Sequence, residues 1–174
     1  AWALGRCPGV ESVWVAPGNG GTLDLEGIQQ LAIAEGDQAG LLAACQERGV
    51  ELVVVGPEGP LAAGLADGLR GAGFPVFGPG ADGAQLEASK QWAKGLMVEA
   101  AVPTAGYWYA TSSAEALAVV EQQQQPLVVK ADGLAAGKGV VVTDDRAAAF
   151  DHARACLNAG SAVVIEEFLD GPEV

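Results

Sequence analysis

The sequence predicts an α/β fold in two parts: a parallel, doubly wound half followed by a smaller α+β module. Three observations carry this. In the first half, continuous apolar runs such as "ELVVVG" alternate with helical stretches, as strands buried on both faces and joined by helices do. Beyond Asp82 the order changes to strand, glycine-rich turn, strand, helix, strand. The chain has 174 residues, half of them apolar, enough for one domain with a good core or for a domain and part of another. The division is expected between residues 84 and 85, giving parts 1–84 and 85–174.

Each element has its own signal. "SVWVA" (12–16) is a buried strand ended by the turn "PGNGGT". "DQAGLLAACQERG" sets Leu41, Leu42, Ala44 and Cys45 on a helical stripe and stops at Gly49. "ELVVVG" (51–56) is a strand, "PLAAGLADGLRGAG" a helix opened by Pro60, and "FPVFG" a short strand. Ligands bind at the carboxyl ends of strands in such sheets, where "PGNGGT" and "GPEGPL" lie. "DGAQLEASKQWAKGLMVEAA" is a helix or broken helix closed before Pro103. "GYWYA" is a strand, and "SSAEALAVVEQQQQ" a helix capped by Ser112 or Ser113. "PLVVKA" and "GVVVT" are partner strands of a hairpin. "DDRAAAFDHARACLNAG" is a helix with acidic residues at its start, where the dipole favours them. "SAVVIEEFLDGPEV" is a last strand running into a turn.

Composition excludes some functions. A net charge of −13 with nine basic residues argues against a nucleic-acid surface, which needs clustered Lys and Arg. Any anionic ligand must therefore be held by a few placed lysines and by backbone N–H groups. No apolar run approaches a membrane span, and "AWALGRCPGV" lacks the regions of a signal peptide. The expected partners are small molecules, with no nucleic acid and no membrane. Cys7, Cys45 and Cys156 show no paired spacing for zinc or redox work. They are read as small buried hydrophobes in a reducing, cytoplasmic setting. Trp2, Trp14, Trp92 and Trp108 are read as core or interface bulk, and His152 as a surface or satisfied histidine.

Chemistry is concentrated in "PLVVKADGLAAGKGVVV" (126–142). It is not a Walker A loop: only Leu134, Ala135 and Ala136 separate Gly133 from Gly137, Gly139 stands where a hydroxyl is needed, and a strand follows instead of a helix. It is a glycine-rich hairpin. Lys130 in an apolar strand is costly unless its ammonium meets an anion or water. Lys138 lies among glycines whose amides can approach a phosphate closely. In "VVIEEFLDGPEV", Glu166 and Glu167 interrupt an apolar strand, so alternation turns one of them inward or toward a ligand. Such a carboxylate can accept from an amino group, and Glu173 can bind paired hydroxyls.

Together these stretches resemble the nucleotide site of ATP-grasp ligases. With "VWVAPGNGGT", "LVVVGPEGPL" and "VFGPGADGAQLEASKQWAKGLMVEAAVPTAGY" in order, the chain resembles the glycinamide ribonucleotide synthetase (phosphoribosylamine–glycine ligase) family of that superfamily. The resemblance implies a Rossmann-like, pre-ATP-grasp domain at 1–84 that binds phosphoribosylamine, and the first part of an ATP-grasp domain at 85–174. It implies ligation of glycine to 5-phosphoribosylamine, with ATP split to ADP and phosphate through glycyl phosphate.

By the same match, Lys94 and Lys130 grip the ATP phosphates. The hairpin with Gly133, Gly137, Lys138 and Gly139 folds over them, and Lys130 and Lys138 are the catalytic pair. Glu166 and the backbone of Glu167, Phe168 and Leu169 take the adenine edge, and Glu173 the ribose. Gly18, Asn19, Gly20, Gly21 and Thr22, with Gly56, Pro57 and Glu58, line the phosphoribosylamine site. ATP comes with Mg2+ or Mn2+, whose ligands are expected beyond Val174. Lys90, one helical turn before Lys94, is read as a solvated helix lysine.

The chain departs from the family pattern by starting after a first strand and a Gly-Gly-Arg-Glu loop, by stopping before the metal ligands, and by a short "NAGSA" connection. The expectation is a fragment that is inactive alone and has an unpaired sheet edge. Another ATP-grasp carboxylate–amine ligase and a non-catalytic nucleotide-binding remnant are the competing readings.

Overall fold

The computed structural model describes residues 1–134 and 139–172. The chain divides into two compact units, Ala1–Asp82 and Gly83–Val174.

In the first unit a 3-10 turn, Leu4–Arg6, precedes β1 (Val13–Val15), α1 (Gly20–Leu23), β2 (Ile28–Gln30) and α2 (Gln38–Glu47). Then come β3 (Val53–Val54), α3 (Glu58–Ala62), α4 (Leu65–Gly71) and β4 (Val76–Phe77). β1 pairs in parallel with β2, and β3 with β4. Val55, Leu61, Leu65, Ala66 and Leu69 are buried and give this unit its core.

Several expectations change here. The second half of "PGNGGT" is helical, because Asn19 and Thr22 cap α1 reciprocally. β2 carries none of the apolar alternation that marks a strand, and only its pairing with β1 makes it one. The helix expected to open at Pro60 starts at Glu58, with Pro57 as its cap. It breaks at Gly64, whose φ of +85° suits a residue without Cβ. β3 and β4 are not buried on both faces: the paired Val54 and Phe77 are 45% and 71% exposed.

α5 (Ala81–Ala88) leads into the second unit, which continues with α6 (Lys90–Glu99), β5 (Tyr107–Ala110), α7 (Ser113–Gln122) and β6 (Leu127–Ala131). β7 (Val140–Thr143), α8 (Arg146–Asn158) and β8 (Val163–Glu167) complete it. The four strands form one antiparallel sheet in the order β5-β8-β6-β7. β8, last in the chain, therefore sits inside the sheet, with β5 on one side and β6 on the other.

Alternation gives this sheet two unlike faces. Ala110, Leu127, Val129, Val163 and Ile165 pack against Ala116 and Val120 of α7 and Ala149 and Ala153 of α8. The registers put Lys130, Val164, Glu166, Tyr107 and Tyr109 on the opposite face. Ser112, not Ser113, caps α7, in a capping box with Glu115. Asp145 caps α8.

One composition-based expectation is corrected. Cys7 is exposed, and Cys45 and Cys156 are only partly buried; burial pushes both of their thiols up from the usual range. Trp108 packs against the core, but Trp2 is 59% exposed, its ring under the Arg6 guanidinium. His152 lies 3.6 Å from Cys156 Sγ, one turn along α8.

Candidate nucleotide site

The polar face of the second sheet carries a compact charge cluster. Lys130 comes from β6 and Glu166 from the adjacent β8, two positions along on the same face. Lys94 comes from α6. Both ammonium groups meet the same carboxylate oxygen: Lys130 Nζ lies 2.9 Å and Lys94 Nζ 3.4 Å from Glu166 Oε2. Lys94 Nζ also donates to Thr104 Oγ1 at 2.7 Å and to the Ala105 carbonyl at 3.1 Å. The Tyr107 ring centroid is 5.8 Å away from it.

Burial gives the cluster its chemistry. Lys94 and Glu166 are 8% and 6% exposed, which ionic groups tolerate only when paired and hydrogen-bonded. Two cations share one anion, so the trio keeps an excess positive charge. A phosphate oxygen arriving on this face meets preplaced donors with charge to spare.

The neighbouring Glu167 points to the other face. Its carboxylate accepts from Gly106 N at 3.0 Å and from Gln125 Nε2 at 3.1 Å. The Glu167 N–H donates to Gly106 O at 2.9 Å, and the Phe168 N–H to Pro126 O at 3.2 Å. These bonds tie the end of β8 to the entries of β5 and β6. Phe168 and Leu169 are exposed, and the backbone of Leu169 lies outside these bonds.

Lys90 is not a freely solvated lysine. Its ammonium donates to Gly133 O at 2.7 Å. Asp132, which the sequence reading passed over, accepts from Lys90 N at 2.6 Å and Gly133 N at 3.0 Å, and from Ser89 Oγ at 3.3 Å. The "ADG" turn was its available signal, since Asp in a turn commonly binds nearby backbone. Its partners on α6, 42 and 43 residues away, were not legible. Ala131 N donates to Gly139 O at 2.8 Å, closing the base of the hairpin. Gly137, Lys138 and Glu173 lie outside the described residues.

In the first unit, the loop 18–22 follows β1. Thr22 N donates to Asn19 Oδ1 at 3.1 Å, and Asn19 N donates to Thr22 Oγ1 at 2.8 Å. Gln30 Nε2 on β2 donates to Asn19 O at 2.7 Å and to Thr22 Oγ1. Gly18 has a φ of +80°, a conformation that favours glycine, and a Cβ there would also displace the Gln30 side chain, whose Cδ would lie 2.7 Å away. Gly56 and Pro57 link β3 to α3, with Glu58 in its first turn. No described hydrogen bond joins this loop to 18–22.

Among the described residues no three His, Cys, Asp or Glu side chains gather as metal donors. No helix among them is long and apolar enough to cross a membrane.

Residues 1–87 match the phosphoribosylglycinamide synthetase N domain, and residues 88–174 its ATP-grasp (A) domain. The chain belongs to the phosphoribosylglycinamide synthetase family. A protein of Allochromatium vinosum named phosphoribosylamine–glycine ligase is 48% identical, with the match covering 99% of this chain and 42% of the relative. One of the same name from Streptomyces coelicolor is 52% identical over 99% of this chain and 40% of its own length. The chain thus spans about two fifths of the curated relatives it matches. The crystal structure of a phosphoribosylamine–glycine ligase from Thermotoga maritima superposes with a TM-score of 0.75 at 30% identity, over 98% of this chain and 41% of that one. An N5-carboxyaminoimidazole ribonucleotide synthetase superposes with a TM-score of 0.70 at 19% identity, a likeness of fold alone.

Proposed function

We propose that this chain is the phosphoribosylamine-binding and phosphate-gripping part of an ATP-dependent carbon–nitrogen ligase that joins glycine to 5-phosphoribosylamine. The convergence of Lys94 and Lys130 on buried Glu166, within a family whose curated relatives carry that ligase name, supports this reading. A glycine carboxylate oxygen attacks the terminal phosphorus of ATP, forming glycyl phosphate and releasing ADP. The amine of phosphoribosylamine then attacks the acyl carbon and expels phosphate, leaving glycinamide ribonucleotide.

Lys94 and Lys130 stabilise charge on the transferring phosphoryl oxygens, with Lys138 and the glycine hairpin closing over them. The 166–169 stretch receives adenine and Glu173 the ribose. Loops 18–22 and 56–58 hold phosphoribosylamine in a first domain ending near residue 84. ATP is used with Mg2+ or Mn2+, in the cytoplasm.

The test uses the full-length protein carrying these residues. Sustained, multiple-turnover ADP production should require both glycine and phosphoribosylamine, and Lys130→Ala should weaken ATP binding in calorimetry by at least about tenfold, the size of one lost charge-assisted bond. Turnover with a different carboxylate and amine pair would make it another ATP-grasp ligase. ATP binding without turnover on any pair would make it a nucleotide-binding protein only.

A further inference from the structure

We propose that Asp132 is a positioning residue for the phosphate grip: it ties the amino terminus of α6 to the end of β6 and so fixes the spacing of Lys94 and Lys130. The proposal rests on the reading of those two lysines as the ATP-phosphate ligands.

The two lysines reach Glu166 from different elements, and neither element alone sets their separation. Asp132 follows Lys130 by two residues where β6 ends. Its Oδ1 accepts from Lys90 N at 2.6 Å and from Gln91 N at 3.4 Å, the first N–H groups of α6, which have no partner within the helix. Its Oδ2 accepts from Ser89 Oγ at 3.3 Å. Ser89 in turn caps α6 through Trp92 N at 3.2 Å. Lys90 Nζ returns the link by donating to Gly133 O at 2.7 Å.

A second set of bonds holds the Asp132 backbone. Its N–H donates to Ala162 O at 2.8 Å, and its carbonyl accepts from Ser161 Oγ at 2.9 Å. The carboxylate is thus fixed to the entry of β8 as well. Lys94 sits one turn beyond Lys90 on α6, so the carboxylate governs where the Lys94 stem starts. A favourable interaction with the helix dipole adds to the hydrogen bonds. A misplacement of about 1 Å among gripping groups costs up to about a hundredfold in efficiency.

The experiment measures ATP affinity and stability of the full-length protein, wild type against Asp132→Asn, Asp132→Ala, Ser89→Ala, Lys130→Ala and Ser112→Ala. Asp132→Asn is nearly isosteric, and Ser89→Ala reaches the same helix terminus from its other side, so the test survives a folding failure of Asp132→Ala. Ser112→Ala removes a cap on α7 and controls for lost stability. The expected result is an ATP Kd raised about tenfold in Asp132→Ala and less in Asp132→Asn and Ser89→Ala, with Ser112→Ala unchanged. If Lys130→Ala weakens binding while Asp132→Asn and Ser89→Ala stay within twofold of wild type, the Asp132 proposal is overturned and the site reading stands. If Lys130→Ala leaves binding unchanged, the site reading fails and takes the proposal with it. Equal weakening by Ser112→Ala would reduce Asp132 to a stabilising residue and also overturn the proposal.

Discussion

Glu166 is the residue on which the site turns, because it is one anion between two cations. Removing it strands two ammonium groups, one of them on the buried Lys94. Breaking a buried pair by deleting one partner costs roughly 3–5 kcal/mol. Glu166→Ala should lose stability of that order in urea unfolding, and a loss within 1 kcal/mol of zero (about experimental error) would mean that water already solvates the trio. Inorganic tripolyphosphate should raise the melting temperature of Glu166→Ala more than that of wild type, since an added anion replaces the missing carboxylate. An equal rise in both proteins would separate Glu166 from the phosphate face. At this scale the sequence was informative about residue types. The paired glutamates in an apolar strand implied two opposite directions, and the structure gives one to the lysines and the other to Gly106 and Gln125.

At the scale of elements, α7 shows how a local signal becomes a stability device. The Thr111 backbone N–H, then its hydroxyl, and then Ser112 hold the Glu115 carboxyl below its usual range. A folded pKa below the unfolded one contributes stability that is present above the unfolded pKa and lost as pH falls through the folded pKa. Glu115→Gln should therefore melt below wild type at neutral pH, and the gap should close under acid conditions where the wild-type carboxyl is protonated. Thermal melts across that range test it, and a gap constant with pH would assign the effect to shape instead of charge. The cap of α7 was legible to within one residue, Ser112 or Ser113, because donor and acceptor lie within four residues. The equally local box of Asn19 and Thr22 on α1 was hidden in a glycine-rich stretch that reads as a turn. β2 was not legible either: "IQQ" becomes a strand only by pairing with β1. The break at Gly64 was hidden too, since an isolated glycine inside a helical pattern can be tolerated without ending the helix.

For the whole molecule, the charge of −13 sets a background of self-repulsion that compactness worsens. Salt screens it over a Debye length of about 10 Å at 0.1 M. Raising NaCl from about 20 mM to about 300 mM should therefore raise the melting temperature by a few degrees. A fall would show that screened attractions, the lysine–glutamate cluster first among them, outweigh the repulsion.

The sequence by itself determined the α/β class, the order of most elements, the hairpin, and the family through motifs that occur in order along the chain. These depend on periodicity and on neighbours close in sequence, which chain connectivity makes visible. Only the tertiary structure decided that Lys94 and Lys130 meet on one oxygen of Glu166, and that Asp132 sits on the start of α6. Those contacts join residues tens of positions apart, and strand order and helix placement set them. β8 inserts between β5 and β6, and only that insertion brings Glu166 next to the strand of Lys130.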